Sequence, residues 1–137
     1  MSLRGGIGLP ELPLEDGQEF RLGIMGGTFD PIHYGHLVTA EQARESLDLD
    51  AVLFMPAGSP AFKLDKPVTP AEDRYAMTVL ATAANPAFLA SRFEIDRPGV
   101  TYTADTLHAL RDFYPSQVKL YFITGADAII DIVTWHD

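Results

Sequence analysis

The chain has 137 residues, no cysteine and a formal net charge of −9 at pH 7. This length suits one domain with a substantial core, and an apolar content of 47% is ordinary for a globular protein. The acidic balance argues against sequence-independent binding of DNA or RNA, which needs a basic surface. The lack of cysteine excludes disulfides and thiolate metal sites and fits a reducing cytoplasm, and neither a membrane span nor a secretory signal is evident. Composition therefore favours a cytoplasmic enzyme or small-ligand-binding domain.

The first nineteen residues are rich in glycine, proline and acidic side chains and show no periodicity. We therefore expect residues 1–19 to form a flexible extension and residues 20–137 to form the domain. Four apolar runs in the domain predict strands, at 20–25, 51–56, 88–95 and 118–124.

Three helices are predicted from apolar stripes with helical spacing. The stripes are Leu37, Ala40, Arg44 and Leu47, then Ala76, Val79, Leu80 and Ala83, then Leu107, Leu110 and Tyr114. Thr69, Pro70 and Glu72 predict a capping-box start for the second helix, and Thr103 can cap the third. A final apolar helical turn is expected after Gly125. Alternating strands and helices predict an α/β fold with a parallel sheet and flanking helices.

Ligands of open parallel sheets bind beyond the carboxyl ends of the strands. The segments 26–36, 57–63 and 125–127 follow predicted strands, and the first reads Gly-Gly-Thr-Phe-Asp-Pro-Ile-His-Tyr-Gly-His. Glycines allow close backbone approach to a ligand, and His33 and His36 lie three apart where a helix begins. A helix N-terminus with two imidazoles predicts a phosphate site. The alternative is a glycine turn with two surface histidines, but histidine is not a favoured N-cap residue.

This string resembles the signature of the nucleotidyltransferase superfamily, whose core is H-x-G-H. The resemblance implies transfer of a nucleotidyl group, a phosphoryl transfer in which the protein aligns phosphates and stabilises developing charge without a covalent intermediate. Magnesium would be held mainly by the triphosphate, with no metal ligands from the protein. Asp30 fits a turn former better than a metal ligand or base.

Further segments, 101–107, 123–127 and 134–136, look like the nicotinate-mononucleotide adenylyltransferases of bacterial NAD synthesis. The resemblance implies a Rossmann-like α/β domain that transfers AMP from ATP to nicotinate mononucleotide. The sequence leaves the oligomeric state open, including a homo-oligomer. The resemblance also implies catalytic roles for Thr28, His33 and His36. The residues implied to contact ATP are Gly26, Gly27, Thr28, Phe29, His33, Gly35, His36, Gly125 and Asp127. Those implied to contact the mononucleotide are Lys63, Tyr102, Thr103, Trp135 and His136, although Trp135 also suits a core position.

Two departures from the family pattern affect these expectations. Phe62 stands where the family often has histidine, which leaves Lys63 as the loop's cation. The family's I-S-S-T-x-x-R segment would lie beyond Trp135, and the sequence ends at Asp137, so we expect a C-terminally incomplete domain. The alternatives are a pantetheine-phosphate adenylyltransferase, which shares a similar signature, and a non-catalytic ATP-binding fragment.

Overall fold

In the computed structural model, which describes residues 8–58, 68–97, 99, 103–124 and 128–131, the described strands form one sheet. In chain order they are β1 (Phe20–Gly27), β2 (Ala51–Pro56), β3 (Phe88–Ala90), β4 (Val118–Thr124) and β5 (Ala128–Asp131). The spatial order is β3-β2-β1-β4-β5; the first four strands are parallel, and β5 runs antiparallel to β4. The predicted parallel α/β fold is confirmed.

The predicted limits of the strands are met for β2 and β4, whereas two other expectations near strand ends are wrong. The third strand ends at Ala90 rather than at residue 95. The Ser91 N–H still donates to the Phe54 carbonyl of β2 (2.9 Å), but its Oγ donates to the Gly8 carbonyl (2.7 Å) and accepts from the Phe93 N–H (3.0 Å), so the chain leaves the sheet after this residue. The helical turn expected after Gly125 is replaced by β5, which pairs antiparallel with residues 121–124 of β4. An apolar run this short fits either a strand or a helical turn, and the pairing partner decides between them.

The described helices are α1 (Tyr34–Leu47), α2 (Ala71–Thr82) and α3 (Thr103–Phe113). Alternate side chains of the strands enter two apolar clusters, as expected for a sheet covered on both faces. One cluster contains Leu107 and Leu110 of α3, and the other contains Ala40 and Ala43 of α1. No helix in the described ranges is long and apolar enough to cross a membrane.

The buried face of α2 is not the apolar stripe that the sequence suggests. Its buried residues are Arg74, Thr78 and Thr82, whereas Leu80 of the predicted stripe is 77% exposed. Thr78 Oγ1 donates to the Arg74 carbonyl (2.9 Å), and Thr82 Oγ1 donates to the Thr78 carbonyl (2.9 Å). These bonds satisfy the buried hydroxyls within the helix, so a polar face can be buried at little cost.

The start of α2 also differs from the expected capping box. Pro70 is the N-cap, and no side chain in the described part of the protein caps the helix. The Thr69 backbone instead bonds outside the helix, because its N–H donates to Asp30 Oδ2 (2.9 Å) and its carbonyl accepts from Arg74 Nε (2.7 Å). The side chain of Glu72 pairs with Arg92. The local capping signal was therefore overridden by contacts distant in sequence.

Residues 8–19 pack against the domain, which corrects the expected mobile extension for this part of the chain. Leu9 is 1% exposed and joins the cluster beneath α3. Tyr114 Oη donates to the Pro10 carbonyl (2.6 Å), and Gln117 Nε2 donates to the Glu15 carbonyl (2.9 Å). Isolated leucines hold this segment against α3 and β4, and it forms no helix or strand of its own. Its sequence therefore shows no periodicity.

Candidate active site

A cavity of about 390 Å³ lies at the carboxyl end of β1, where the sheet topology predicts a ligand site. It brings together six of the residues assigned to ATP from the sequence. The lining residues are Met25, Gly26, Gly27, Phe29, His33, Gly35, His36, Thr39 and Ile123. A Cβ on Gly26 would meet no heavy atom of the described residues closer than 3.9 Å, so the described side chains leave room for a ligand beside this strand end.

The two signature histidines cap α1 and fix each other. His33 is the N-cap, and its Nδ1 accepts from the Gly35 N–H (3.1 Å). The His33 N–H donates in turn to Nδ1 of His36 (3.0 Å), which completes a capping box. The sequence argument against a purely structural role, that histidine is a poor N-cap, therefore does not hold in this chain. The two histidines have a structural role beside any chemical one.

This capping box has a direct chemical consequence. Because each Nδ1 accepts a hydrogen bond from a backbone N–H, the proton of each neutral ring lies on Nε2. The two rings stack on each other, with centroids 3.9 Å apart and planes inclined by 31°, and both residues line the cavity. The arrangement thus leaves two Nε2–H donors at the positive end of a helix dipole, which is a suitable environment for phosphate oxygens.

Gly35 is required by the way in which His33 caps the helix. A Cβ at this position would lie 2.9 Å from Cε1 and 3.1 Å from Nδ1 of His33. Any side chain here would push the imidazole away from the helix start. The glycine of the H-x-G-H pattern thus serves the position of the first histidine.

The buried ring of Phe29 packs against the second histidine, His36. The backbone of Phe29 has a φ of +52°, a left-handed conformation that costs a bulky residue free energy. Its side chain is buried, with the ring edge-on to His36 (5.0 Å between centroids) and 6.0 Å from Phe54. The strained backbone is therefore held by aromatic packing that connects the core to the imidazole.

Partial burial lowers the pKa of His36 below its usual 6.5, and the neighbouring His33 lowers it further. Protonation would place a proton on Nδ1 and abolish its bond from the His33 N–H. Since the folded state holds this proton less tightly than the unfolded state, the contribution of His36 to stability is present above pH 6.5 and is lost as the pH falls through the lowered pKa.

We expect the NMR titration of the His36 ring in the folded chain to have a lower midpoint than in denaturant. The unfolding free energy of the parent should also fall more between about pH 7 and pH 5 than that of His36→Gln, because glutamine can complete a capping box without titrating. Equal pH dependence in the two proteins would contradict the inferred link between the proton and the cap.

Of the other site residues predicted from the sequence, Thr28 and Thr103 lie in the described part of the chain. Thr28 does not line the cavity, and its carbonyl accepts from Arg74 Nη1 (2.9 Å). Thr103 is the first residue of α3. Six further predicted site residues lie outside the described part of the chain: Lys63, Tyr102, Gly125, Asp127, Trp135 and His136.

Sequence reasoning missed three lining residues, Met25, Thr39 and Ile123. Thr39 lies one turn after His36 on α1, so helical spacing could have indicated it.

Asp30 binds the Thr69 N–H through Oδ2 (2.9 Å), consistent with a role in fixing the loop. Among the described residues, no group of three or more His, Cys, Asp or Glu side chains could hold a metal ion.

Residues 24–137 match the family described as cytidylyltransferase-like. The chain belongs to this family. The cytidylyltransferase-like chain is 63% identical over 117 residues to a "Probable nicotinate-nucleotide adenylyltransferase" of Moorella thermoacetica, with 85% of the chain and 54% of the relative covered. It is 60% identical over 117 residues to the protein of the same name from Corynebacterium glutamicum, covering 85% of the chain and 53% of that relative.

Solved structures agree with the fold of this cytidylyltransferase-like chain. A Plasmodium falciparum nicotinic acid mononucleotide adenylyltransferase complexed with NaAD superposes with a TM-score of 0.61 at 18% identity, covering 76% of the chain and 51% of the other protein. The chain thus spans about half the length of the relatives it matches.

Proposed function

We propose that this chain serves adenylyl transfer from ATP to nicotinate mononucleotide, giving nicotinate adenine dinucleotide and pyrophosphate. The observation that carries the proposal is the pair of Nε2–H donors that the capping box holds in the cavity at the start of α1. The names of the relatives from Moorella thermoacetica and Corynebacterium glutamicum support the choice of acceptor. The cysteine-free sequence is consistent with action in the cytoplasm.

In the proposed reaction, a phosphate oxygen of the mononucleotide attacks the α-phosphorus of ATP. The bond from that phosphorus to the bridging oxygen breaks, and pyrophosphate leaves with the electron pair. His33 and His36 donate from Nε2 to phosphate oxygens, and the N-terminus of α1 adds its dipole. The neutral state favoured for His36 suits a hydrogen-bond donor that holds charge without giving up its proton.

Magnesium is proposed to enter with the triphosphate. The described cavity offers two imidazoles at the N-terminus of α1, which suit phosphate oxygens, whereas Mg²⁺ prefers carboxylate oxygens and water. No residue of the cavity is therefore assigned to the ion, which would be coordinated by the triphosphate and water. Its chemistry there is to neutralise charge on the phosphate oxygens.

The mononucleotide side of the site is proposed from the resemblance. Gly125 and Asp127 are assigned to the ribose groups, Lys63 and His136 to the mononucleotide, and the pyridine pocket to Tyr102, Thr103 and Trp135. An acid-selective pocket needs N–H donors facing the nicotinate carboxylate. Presenting the amide NH₂ of nicotinamide to such donors leaves them unpaired, which costs more than a lost neutral hydrogen bond.

We expect the purified chain to use nicotinate mononucleotide at least about tenfold better than nicotinamide mononucleotide, a difference of about 1.4 kcal/mol. The measurement is pyrophosphate release, with the dinucleotide product identified by chromatography. Phosphopantetheine is the control acceptor. Its preferred use would favour the pantetheine-phosphate alternative, whereas ATP binding without pyrophosphate release from any acceptor would identify a non-catalytic ATP-binding domain.

A further inference from the structure

Arg74 is a buried arginine that makes hydrogen bonds to four backbone carbonyls. It lies on α2 and is 1% exposed. Nη1 donates to the carbonyls of Thr28 (2.9 Å) and Ala57 (2.6 Å), Nη2 donates to Gly58 (3.1 Å), and Nε donates to Thr69 (2.7 Å). One side chain thus joins three segments that are far apart in sequence.

Each of these segments belongs to the rim of the cavity or to its support. Thr28 follows β1 and lies between Gly27 and Phe29, both of which line the cavity. Ala57 follows β2, and its N–H donates to the Gly27 carbonyl (2.8 Å). The guanidinium therefore holds the end of β2 and the loop after β1 at a fixed separation.

A second bond reinforces the same connection from the other side. Asp30 Oδ2 accepts from the Thr69 N–H (2.9 Å), while the Thr69 carbonyl accepts from Arg74. The charge of Asp30 favours the cationic form of Arg74, whereas burial lowers the pKa of this guanidinium below its usual value. A buried cation surrounded mainly by neutral carbonyls is costly to keep for stability alone, which suggests a gain elsewhere.

We propose that Arg74 is a positioning residue for the loop after β1, which leads from Thr28 to the histidines assigned to phosphate. It acts by fixing the backbone at Thr28 relative to the end of β2. This inference rests on the proposed function. The planar fork of arginine, with five N–H donors, is needed to reach all four carbonyls at once. A lysine would keep the charge but has a single ammonium group, so it could not hold all four.

The test compares Arg74→Lys with Arg111→Lys in the same chain. Arg111 is a matched control because its Nη2 also donates to backbone carbonyls, those of Tyr114 (3.2 Å) and Pro115 (2.8 Å), and burial also lowers its pKa. It lies in the last turn of α3, before the start of β4, whereas the cavity lies beyond the strands' carboxyl ends. ATP affinity is measured by calorimetry under conditions in which each protein is folded by circular dichroism.

The second readout is hydrogen exchange at the amides of Ala57 and Thr69, which report the loop contacts directly. We expect Arg74→Lys to weaken ATP binding about tenfold, a usual size for coupling within one protein, and to speed exchange at both amides. Arg111→Lys should leave the ATP affinity within about twofold of the parent. A folded Arg74→Lys protein with the parent's ATP affinity overturns the proposal, whatever its stability.

Two further outcomes remain informative. If the parent does not bind ATP, the proposed function fails, and unchanged exchange at Ala57 and Thr69 in Arg74→Lys would separately refute the positioning role. If Arg74→Lys does not fold, exchange is measured in the parent with and without ATP. Coupling is reciprocal, so ATP should slow exchange at these two amides, and no change would overturn the proposal.

Discussion

Replacing His36 by alanine is expected to lower the turnover of adenylyl transfer by about 10²–10³-fold, the usual loss for one preorganised donor at a centre where charge develops. The ring of His36 lines the cavity, and the proton of the neutral ring lies on Nε2 because Nδ1 accepts from the His33 N–H. Steady-state pyrophosphate release with ATP and nicotinate mononucleotide measures the effect. The same variant also loses half of the capping box, which should lower the unfolding free energy by about 1 kcal/mol.

His36→Glu separates these two effects. Glutamate at the third position of a helix can accept from the N-cap N–H and favours the helix dipole, so the stability should be close to that of the parent. Its carboxylate has no proton to donate at pH 7 and repels phosphate, so turnover should fall at least as far as in His36→Ala. Turnover within about threefold of the parent in either stable variant would remove His36 from the mechanism.

Tyr34→Ala provides the control within the same signature. Tyr34 is the first residue of α1 and is 79% exposed, and it does not line the cavity. We expect turnover and stability to stay close to those of the parent, because exposed substitutions usually change stability by no more than about 0.5 kcal/mol. A large loss of turnover in this variant would show that the helix start as a whole is sensitive, and would weaken the specific assignment to His36.

Replacing Leu53 by alanine is expected to lower the unfolding free energy by about 2–5 kcal/mol, because it leaves a cavity in a close-packed core. Leu53 lies in the middle of β2, is fully buried, and pairs in register with Ile24 of β1. This loss is a large part of the stability of a typical domain. Urea unfolding followed by circular dichroism measures it.

Leu80→Ala is the matched control, since the same atoms are removed from a leucine that is 77% exposed on α2. We expect a change of no more than about 0.5 kcal/mol. The pair also tests the orientation of α2. If Leu80→Ala proved as costly as Leu53→Ala, the apolar stripe predicted from the sequence would be the buried face, and the arrangement around Arg74 would be wrong.

The limits of β2 and β4 could be predicted because the residues within each strand carry the signal, without contacts distant in sequence. The run Ala51–Pro56 is apolar throughout, and all six residues are buried in β2. Val118–Thr124 forms β4 with the predicted limits. A strand that is buried on both faces of a parallel sheet has a mostly apolar sequence, which is easy to detect. The end of the three-residue β3 instead depends on the contact of Ser91 with Gly8, which is distant in sequence.

The sequence by itself determined the class of the fold and the location of the candidate site. A glycine-rich strand end followed by H-x-G-H at a helix start is a local pattern, and its six cavity-lining residues lie within eleven positions of one another. Short-range geometry alone brings such residues together. The role of Gly35 follows from the same short-range geometry, but it became visible only with the coordinates of His33.

Only the tertiary structure decided which side chains support that site. Arg74 and Thr28 are 46 positions apart, and Tyr114 and Pro10 are 104 apart, so no pattern within a window of one helix or strand contains these pairs. Helical periodicity also favoured Leu80 over Arg74 as the inward residue of α2. Periodicity ranks side chains by their transfer from water, whereas burial of Arg74 depends on four carbonyls that only the folded chain assembles around it.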